Sequence, residues 1–200
     1  MGLRGGPLST PNEVAINEVA RILRGDGMVV ALSGEGADEL FGGYDGPMRD
    51  AARFEGLIPP TDGGATRASG VEPGHFQLDA NSWIPVANKS AVLGEDVWRA
   101  VERDEHLREF YRVEFESLDE TGAERGRDAK ARRVLSHLRF HRRINLAGLL
   151  QRLDTATMLE GVEGRTPFAD SVVAAFADGL GLDELFMIDA SDRAHTKRAL

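Results

Sequence analysis

The chain has 200 residues, 42% hydrophobic and 28% charged, an ordinary globular composition with enough length for one domain or one and a half. Lys and Arg number 24 against 33 Asp and Glu, a net charge of −9, with a pI near 5.1, which disfavours sequence-independent nucleic-acid binding and attachment to anionic membranes. Cysteine is absent, excluding disulfides, thiolate metal sites and a cysteine nucleophile, and no unbroken apolar run comes near the roughly 18–20 residues that span a bilayer.

No secretory signal is visible at the N-terminus, and Gly6 stands where a myristoylation motif needs Ser or Thr. The expected compartment is therefore the cytoplasm. Thr10-Pro11-Asn12-Glu13 reads as a helix start, with Thr at N-cap, Pro at N1 and Glu at N3. Val14, Ile16, Val19, Ala20, Ile22 and Leu23 follow as an apolar stripe at helical spacing that ends near Gly25. The run 28–32, apolar throughout, predicts a strand covered on both faces, as in a parallel sheet. No second strand is evident, so the remaining strands of an α/β sheet are expected outside this sequence.

Beyond a Gly-rich loop, 37–40 and 47–57 read as helical, and 59–74 is dense in Gly, Pro, Thr and Ser. From Gly94 onward the pattern is helical: 96–118 as one long helix, a polar break at 121–128, 129–159 as a second or two in line with Gly148 near the middle, and 172–180 as a short third. The expected organisation is 1–58 as the C-terminal half of an α/β unit, 59–80 as a Gly/Pro-rich loop or linker, and 81–200 as a helical region.

The stretch SGEGADELFGGY, 33–44, leaves the C-terminal end of the expected strand, where open α/β sheets place their ligands. A dinucleotide fingerprint fails at Glu39, and no Gly-Lys-Ser/Thr is present for a Walker loop. Glu35, Asp38 and Glu39 would repel a bare pyrophosphate, but suit one bridged by Mg²⁺, a hard cation that prefers carboxylate and phosphate oxygens. The other reading is an acidic helix N-terminus that favours the macrodipole. The residues alone leave both open.

SGEGADELFGGY resembles the signature of the asparagine synthetase family in its synthetase domain. Three later stretches resemble the same domain in the same order: LLQRLDTATM (149–158), VEGRTPFAD (162–170) and TKRAL (196–200). The resemblance implies an ATP-dependent ligase of the adenine nucleotide α-hydrolase (HUP) fold, present here as a truncated, mostly helical part with one clear strand. It implies adenylation of the aspartate side-chain carboxylate, release of pyrophosphate, and attack by ammonia derived from glutamine to give asparagine and AMP. Matched by position, Ser33 and Gly34 correspond to the ATP-contacting pair, and Glu35 to the residue supporting formation or breakdown of the acyl-adenylate. Asp38 corresponds to a Mg²⁺ ligand, Lys197 to the cation that neutralises pyrophosphate, and Asp154 to an acidic position of the same cleft.

Those residue types suit the chemistry, because a Mg²⁺ and a Lys aimed at the leaving pyrophosphate act as preorganised electrostatic stabilisers. A carboxylate in the place of Glu35 is a residue type that can accept the proton of attacking ammonia. Two family features are missing from this sequence: the Ser-Gly-Gly-x-Asp-Ser nucleotide loop and the catalytic cysteine of an N-terminal glutaminase domain. The expectation is a C-terminal fragment, inactive alone, whose missing parts lie in cis or on a partner chain. A homodimer is a further possibility for its assembly. Thr155, Thr157 and Gly164 also depart from the family pattern and leave the acceptor carboxylate open. The competing readings are a non-catalytic helical interaction module and one half of a split carboxylate–amine ligase.

Other features carry structural expectations. His137 and His141, four apart, lack the Glu and third ligand of a zinc motif. The run 125–143 has eight Lys/Arg against a lone Asp128; an acidic domain, a phosphate or nucleic acid would suit it, but the favoured reading is the solvated face of a helix with Val134, Leu135, Leu138 and Ile144 inside. Trp83 and Trp98 are expected in packing roles, Tyr44 in a packing role beside the cleft, and Glu163 with Arg165 as an internal ion pair.

Overall fold

The computed structural model describes residues 10–60, 64–122 and 128–200, without the side chains of 120–122. In chain order the elements are helix α1 (Asn12–Gly25), strand β1 (Val30–Leu32) and helices α2 (Ala37–Phe41), α3 (Asp45–Phe54), α4 (Pro73–Asn81), α5 (Lys89–Leu93), α6 (Glu95–Ala100), α7 (Glu105–Gly122) and α8 (Ala129–Met158). Strand β2 (Glu163–Arg165), helices α9 (Ser171–Gly179) and α10 (Leu182–Leu185), and strands β3 (Phe186–Ile188) and β4 (Ala194–Thr196) complete them. The chain divides into two units: Met1–Gly43 with His141–Leu185 and Lys197–Leu200, and Tyr44–Phe140 with Phe186–Thr196.

In the first unit the Glu13 N–H donates to the Thr10 carbonyl at 3.3 Å and α1 starts within a residue of the expected place, but Pro11, not Thr10, is the N-cap and no side chain caps the helix. Its stripe is not buried as expected. Ala20 is inside, but Val14, Val19 and Ile22 are more than half exposed. The strand reading also needs correction, since β1 exposes Val30 and Leu32 and half-buries only Ala31. The physical reason is a narrow sheet. Among the described residues β1 has one neighbour, the parallel β2, with Val30 opposite Glu163 and Leu32 opposite Arg165.

β2 escaped the sequence reading because Glu163-Gly164-Arg165 offers no β-branched or aromatic residue. Gly164 suits the place, since a Cβ there would meet Thr157 Oγ1 at 3.1 Å and Leu153 Cγ at 3.2 Å. The Glu163–Arg165 ion pair forms at 2.9 Å, but both side chains are more than half exposed, so it is a surface pair and not an internal brace. Asn17 Nδ2 donates to the Ala156 carbonyl at 2.9 Å, tying α1 to the end of α8. Leu40, Phe41, Leu153, Ala156 and Val162 form the core.

In the second unit, α4 packs on α7, and the Phe54 and Phe76 rings stack at 4.3 Å with His137 edge-on to both. The segment read as loop, 59–80, carries a 3₁₀ turn at Arg67–Ser69 and α4, whose first position is Pro73, where a fixed φ favours helix. The single helix expected over 96–118 is two, because Glu102, Arg103 and Asp104 take positive φ between α6 and α7. The polar break expected at 121–128 lies mostly outside the described residues. α8 runs unbroken for 30 residues through Gly148. Trp98 is buried, whereas Trp83 is 96% exposed and packs on nothing that would hide it. Tyr44, the first residue of this unit, is 37% exposed.

Glu55 anchors this unit. Its side chain is fully buried and accepts from Arg133 Nε (2.5 Å), His137 Nε2 (3.0 Å) and Arg67 Nη1 (3.1 Å). Burial works against its charge, yet the bonds from His137 and Arg133 prevail and hold its pKa below the usual carboxylate value. Burial depresses the pKa of His137, keeping the ring neutral, with Nε2–H donating to Glu55 and Nδ1 accepting from Gln77 Nε2 at 2.6 Å. His141 instead meets Asn145 Nδ2 at 3.0 Å, so the two histidines have separate commitments.

β3 and β4 form an antiparallel hairpin that the sequence reading did not contain. Asp189 closes it by accepting from the Ser191 hydroxyl and the Ser191 and Arg193 N–H groups, with His195 on its other oxygen. These donors hold its pKa far below the ordinary aspartate range. Among the described residues no helix is long and apolar enough to cross a membrane.

Candidate active site

The site lies within the first unit, where the chain leaves β1. The Ser33 N–H donates to the Arg165 carbonyl at 2.8 Å and extends the ladder by one residue, and Ser33 Oγ accepts from the Glu35 N–H at 3.3 Å. Gly34 is exposed, with nothing within 4 Å of a Cβ built on it. Gly36 then turns the chain at φ 97°, a left-handed conformation that favours glycine, and α2 begins at Ala37. Leu40 and Phe41 anchor α2 in the core, Phe41 lying edge-on to Phe168 at 6.1 Å. The polar residues of 33–38 are thereby carried on a short, firmly seated segment.

Two ion pairs organise the carboxylates. Arg152 Nη2 on α8 donates to Glu35 Oε1 at 2.8 Å, with the two side chains 12% and 21% exposed. Lys197 Nζ lies 2.7 Å from Asp38 Oδ1, and this pair is about a third exposed on each side. The difference matters, because a partly exposed ion pair is worth only about 0–1 kcal/mol and yields readily to a competing ligand. Glu35 is held firmly; Lys197 and Asp38 are held loosely.

The backbone supports the looser pair at a cost. Lys197 has φ 50°, in the left-handed region that side chains avoid. Gly43 lies against it, where a Cβ would push aside the ends of the Asp38 and Lys197 side chains. Arg198 N–H donates to the Leu185 carbonyl at 3.3 Å, fixing the chain immediately after Lys197.

Ser33, Glu35, Asp38 and Lys197 are thus joined to one another or to Arg152 by direct bonds, and Gly34 lies in the same turn. Asp154 is not brought into these contacts. It is exposed, and two residues beyond Arg152 it points roughly 200° around the helix from it. The residue that sequence reasoning missed is Arg152. It lies within LLQRLDTATM, and its signal in the sequence is an arginine two positions before Asp154.

One polar atom here lacks a partner: Arg152 Nε is buried without an acceptor. A buried donor left unmet costs free energy, so an anionic ligand fits this surface better than an apolar one. Among the described residues no group of three or more His, Asp or Glu is placed to hold a metal. Mg²⁺ does not require one, since it is commonly held by one or two carboxylates together with substrate phosphates. Asp38, a loosely engaged hard oxygen donor, fits that single-carboxylate role.

A model of the asparagine synthase family matches residues 2–196. The chain belongs to the asparagine synthase family. The match takes in every candidate residue except Lys197, which lies just past its end. No curated protein and no solved structure matches the chain. Asparagine synthase domains are ligase-type and ATP-using, which agrees in kind with a carboxylate- and cation-bearing turn at the end of a parallel strand.

Proposed function

We propose that this chain supplies the carboxylate- and lysine-bearing part of an ATP-dependent ligase that converts aspartate to asparagine with glutamine-derived ammonia. The observation that carries the reading is the double ion pair, Arg152–Glu35 and Lys197–Asp38, on the turn leaving β1. In this reading the domain has the adenine nucleotide α-hydrolase fold, and a nucleotide loop comes from further sequence in cis or from a partner chain. The exposed β1 and the apolar groove between it and α1, lined by Ile16, Val19, Leu23, Ala31 and Leu32, support a neighbouring layer there.

Each residue has a defined task. Ser33 and Gly34 meet the nucleotide at the strand's end, with the Gly34 backbone open to close approach. Asp38 would hold Mg²⁺, which when bound would offset phosphate charge. Lys197, released from Asp38, turns its ammonium toward the departing pyrophosphate. Arg152 fixes the Glu35 carboxylate where it accepts a proton from the attacking amine.

The chain purified alone is expected to form no AMP from ATP, aspartate and ammonia. Joined to the polypeptide that carries a Ser-Gly-Gly-x-Asp-Ser loop, it is expected to form AMP and pyrophosphate in an aspartate-dependent reaction that Glu35→Gln and Lys197→Ala each reduce at least 100-fold, about 2.7 kcal/mol of transition-state stabilisation. Turnover indifferent to both substitutions, or ATP hydrolysis indifferent to aspartate, contradicts the reading.

A further inference from the structure

A second pocket, within the other unit, shares no residue with that site. It has a volume of about 460 Å³, inside the usual range for small-molecule sites. Its wall carries four cations from three separate places: Arg53 on α3, Arg67 on the 3₁₀ turn, and Lys130 and Arg133 on α8. The last two belong to the basic run that the sequence reading assigned to a solvated face.

One buried acid arranges two of these cations. Glu55 accepts from Arg67 Nη1, Arg133 Nε and the neutral His137, so its acceptor capacity is largely used. Each arginine donates to it through one nitrogen and retains further N–H groups of the five that a guanidinium carries. Lys130 Nζ is held by the Gly56 carbonyl at 2.6 Å, a neutral partner, and makes no ion pair among the described residues. Arg53 meets Asp50 at 3.3 Å in an i,i+3 pair whose acid is 59% exposed, a weak contact. Among the described residues, four cations against Glu55 and Asp50 leave an excess of two positive charges, in a chain whose net charge is −9. Such a concentration is self-repelling without a counter-charge.

We infer that this pocket binds the phosphate monoester of a small organic molecule. A phosphate monoester carries about −1.5 to −2 charges near neutral pH, which matches the excess, and its oxygens suit guanidinium forks. Phe54, Pro60 and Ala68 add an apolar wall for the organic part, which a free phosphate would leave unused. The inference is independent of the ligase reading.

The test is an NMR titration of the 200-residue chain with β-glycerophosphate, with inorganic phosphate in a parallel arm. The expected result is saturable shifts at residues 53–56, 66–68 and 130–133, with the ester binding at least tenfold more tightly than inorganic phosphate. The double variant Arg53→Gln/Lys130→Gln leaves all three donors to Glu55 in place, and is expected to weaken ester binding tenfold or more without changing the melting temperature. Absence of binding, equal binding of the two probes, affinity unchanged in the double variant, or shifts confined to 33–38 and 197 overturns the proposal.

Discussion

Lys197 combines a strained backbone with a charge held by a weak pair, and the two properties separate under substitution. A side chain in the left-handed region costs about 1 kcal/mol or more. Lys197→Gly is therefore expected to leave stability in urea unchanged or raise it by up to about 1 kcal/mol, while removing the function of the site. A clear loss of stability would mean that the Asp38 contact outweighs the strain. Arg152→Ala strands the partly buried Glu35 carboxylate, and is expected to cost about 1–3 kcal/mol in the same measurement, with Arg152→Lys recovering part of it. Glu35 and Asp38 were legible in the sequence because they follow an apolar run directly. Arg152 was not, because its meaning depends on a partner 117 residues away.

Short strands and buried charges are what the sequence conveyed least among the elements. The start of α1 was legible from Thr10-Pro11, and α9 from its apolar pattern, since both signals are local. β2 was hidden because its glycine serves a contact with α8, and the β3–β4 hairpin because three-residue strands carry no alternation. Gly164 also makes a departure from the family pattern intelligible. Gly164→Ala is expected to destabilise by about 1–3 kcal/mol through crowding of Thr157 and Leu153. The Glu55–His137 cluster makes the second unit acid-sensitive. Unfolded His137 takes up a proton near pH 6.5 whereas the buried ring resists it, so stability falls as pH drops from about 7 toward 5. Below about pH 4.5 the unfolded Glu55 protonates before the folded one, and a second loss follows. Urea unfolding across this range checks the sign, and His137→Gln is expected to flatten the first phase.

At the scale of the whole molecule, the family was legible from four separated stretches, while the surfaces that those stretches build were not. Val19, Val30 and Leu32 are exposed on the first unit, an apolar face of the kind that marks an interaction site. The isolated chain is expected to self-associate with rising concentration at neutral pH, and Val19→Glu/Leu32→Glu to hold it monomeric in sedimentation velocity; both residues are exposed enough that stability should move by no more than about 0.5 kcal/mol. The claim on which the functional account rests is that the turn leaving β1, with Lys197, receives the phosphate chain of a nucleotide. The direct measurement is an NMR titration of the 200-residue chain with magnesium pyrophosphate, repeated on Lys197→Ala. Saturable shifts at residues 33–38 and 197, lost in the variant, are the predicted result. A response unchanged by Lys197→Ala, or one confined to residues 53, 67, 130 and 133, would contradict the account.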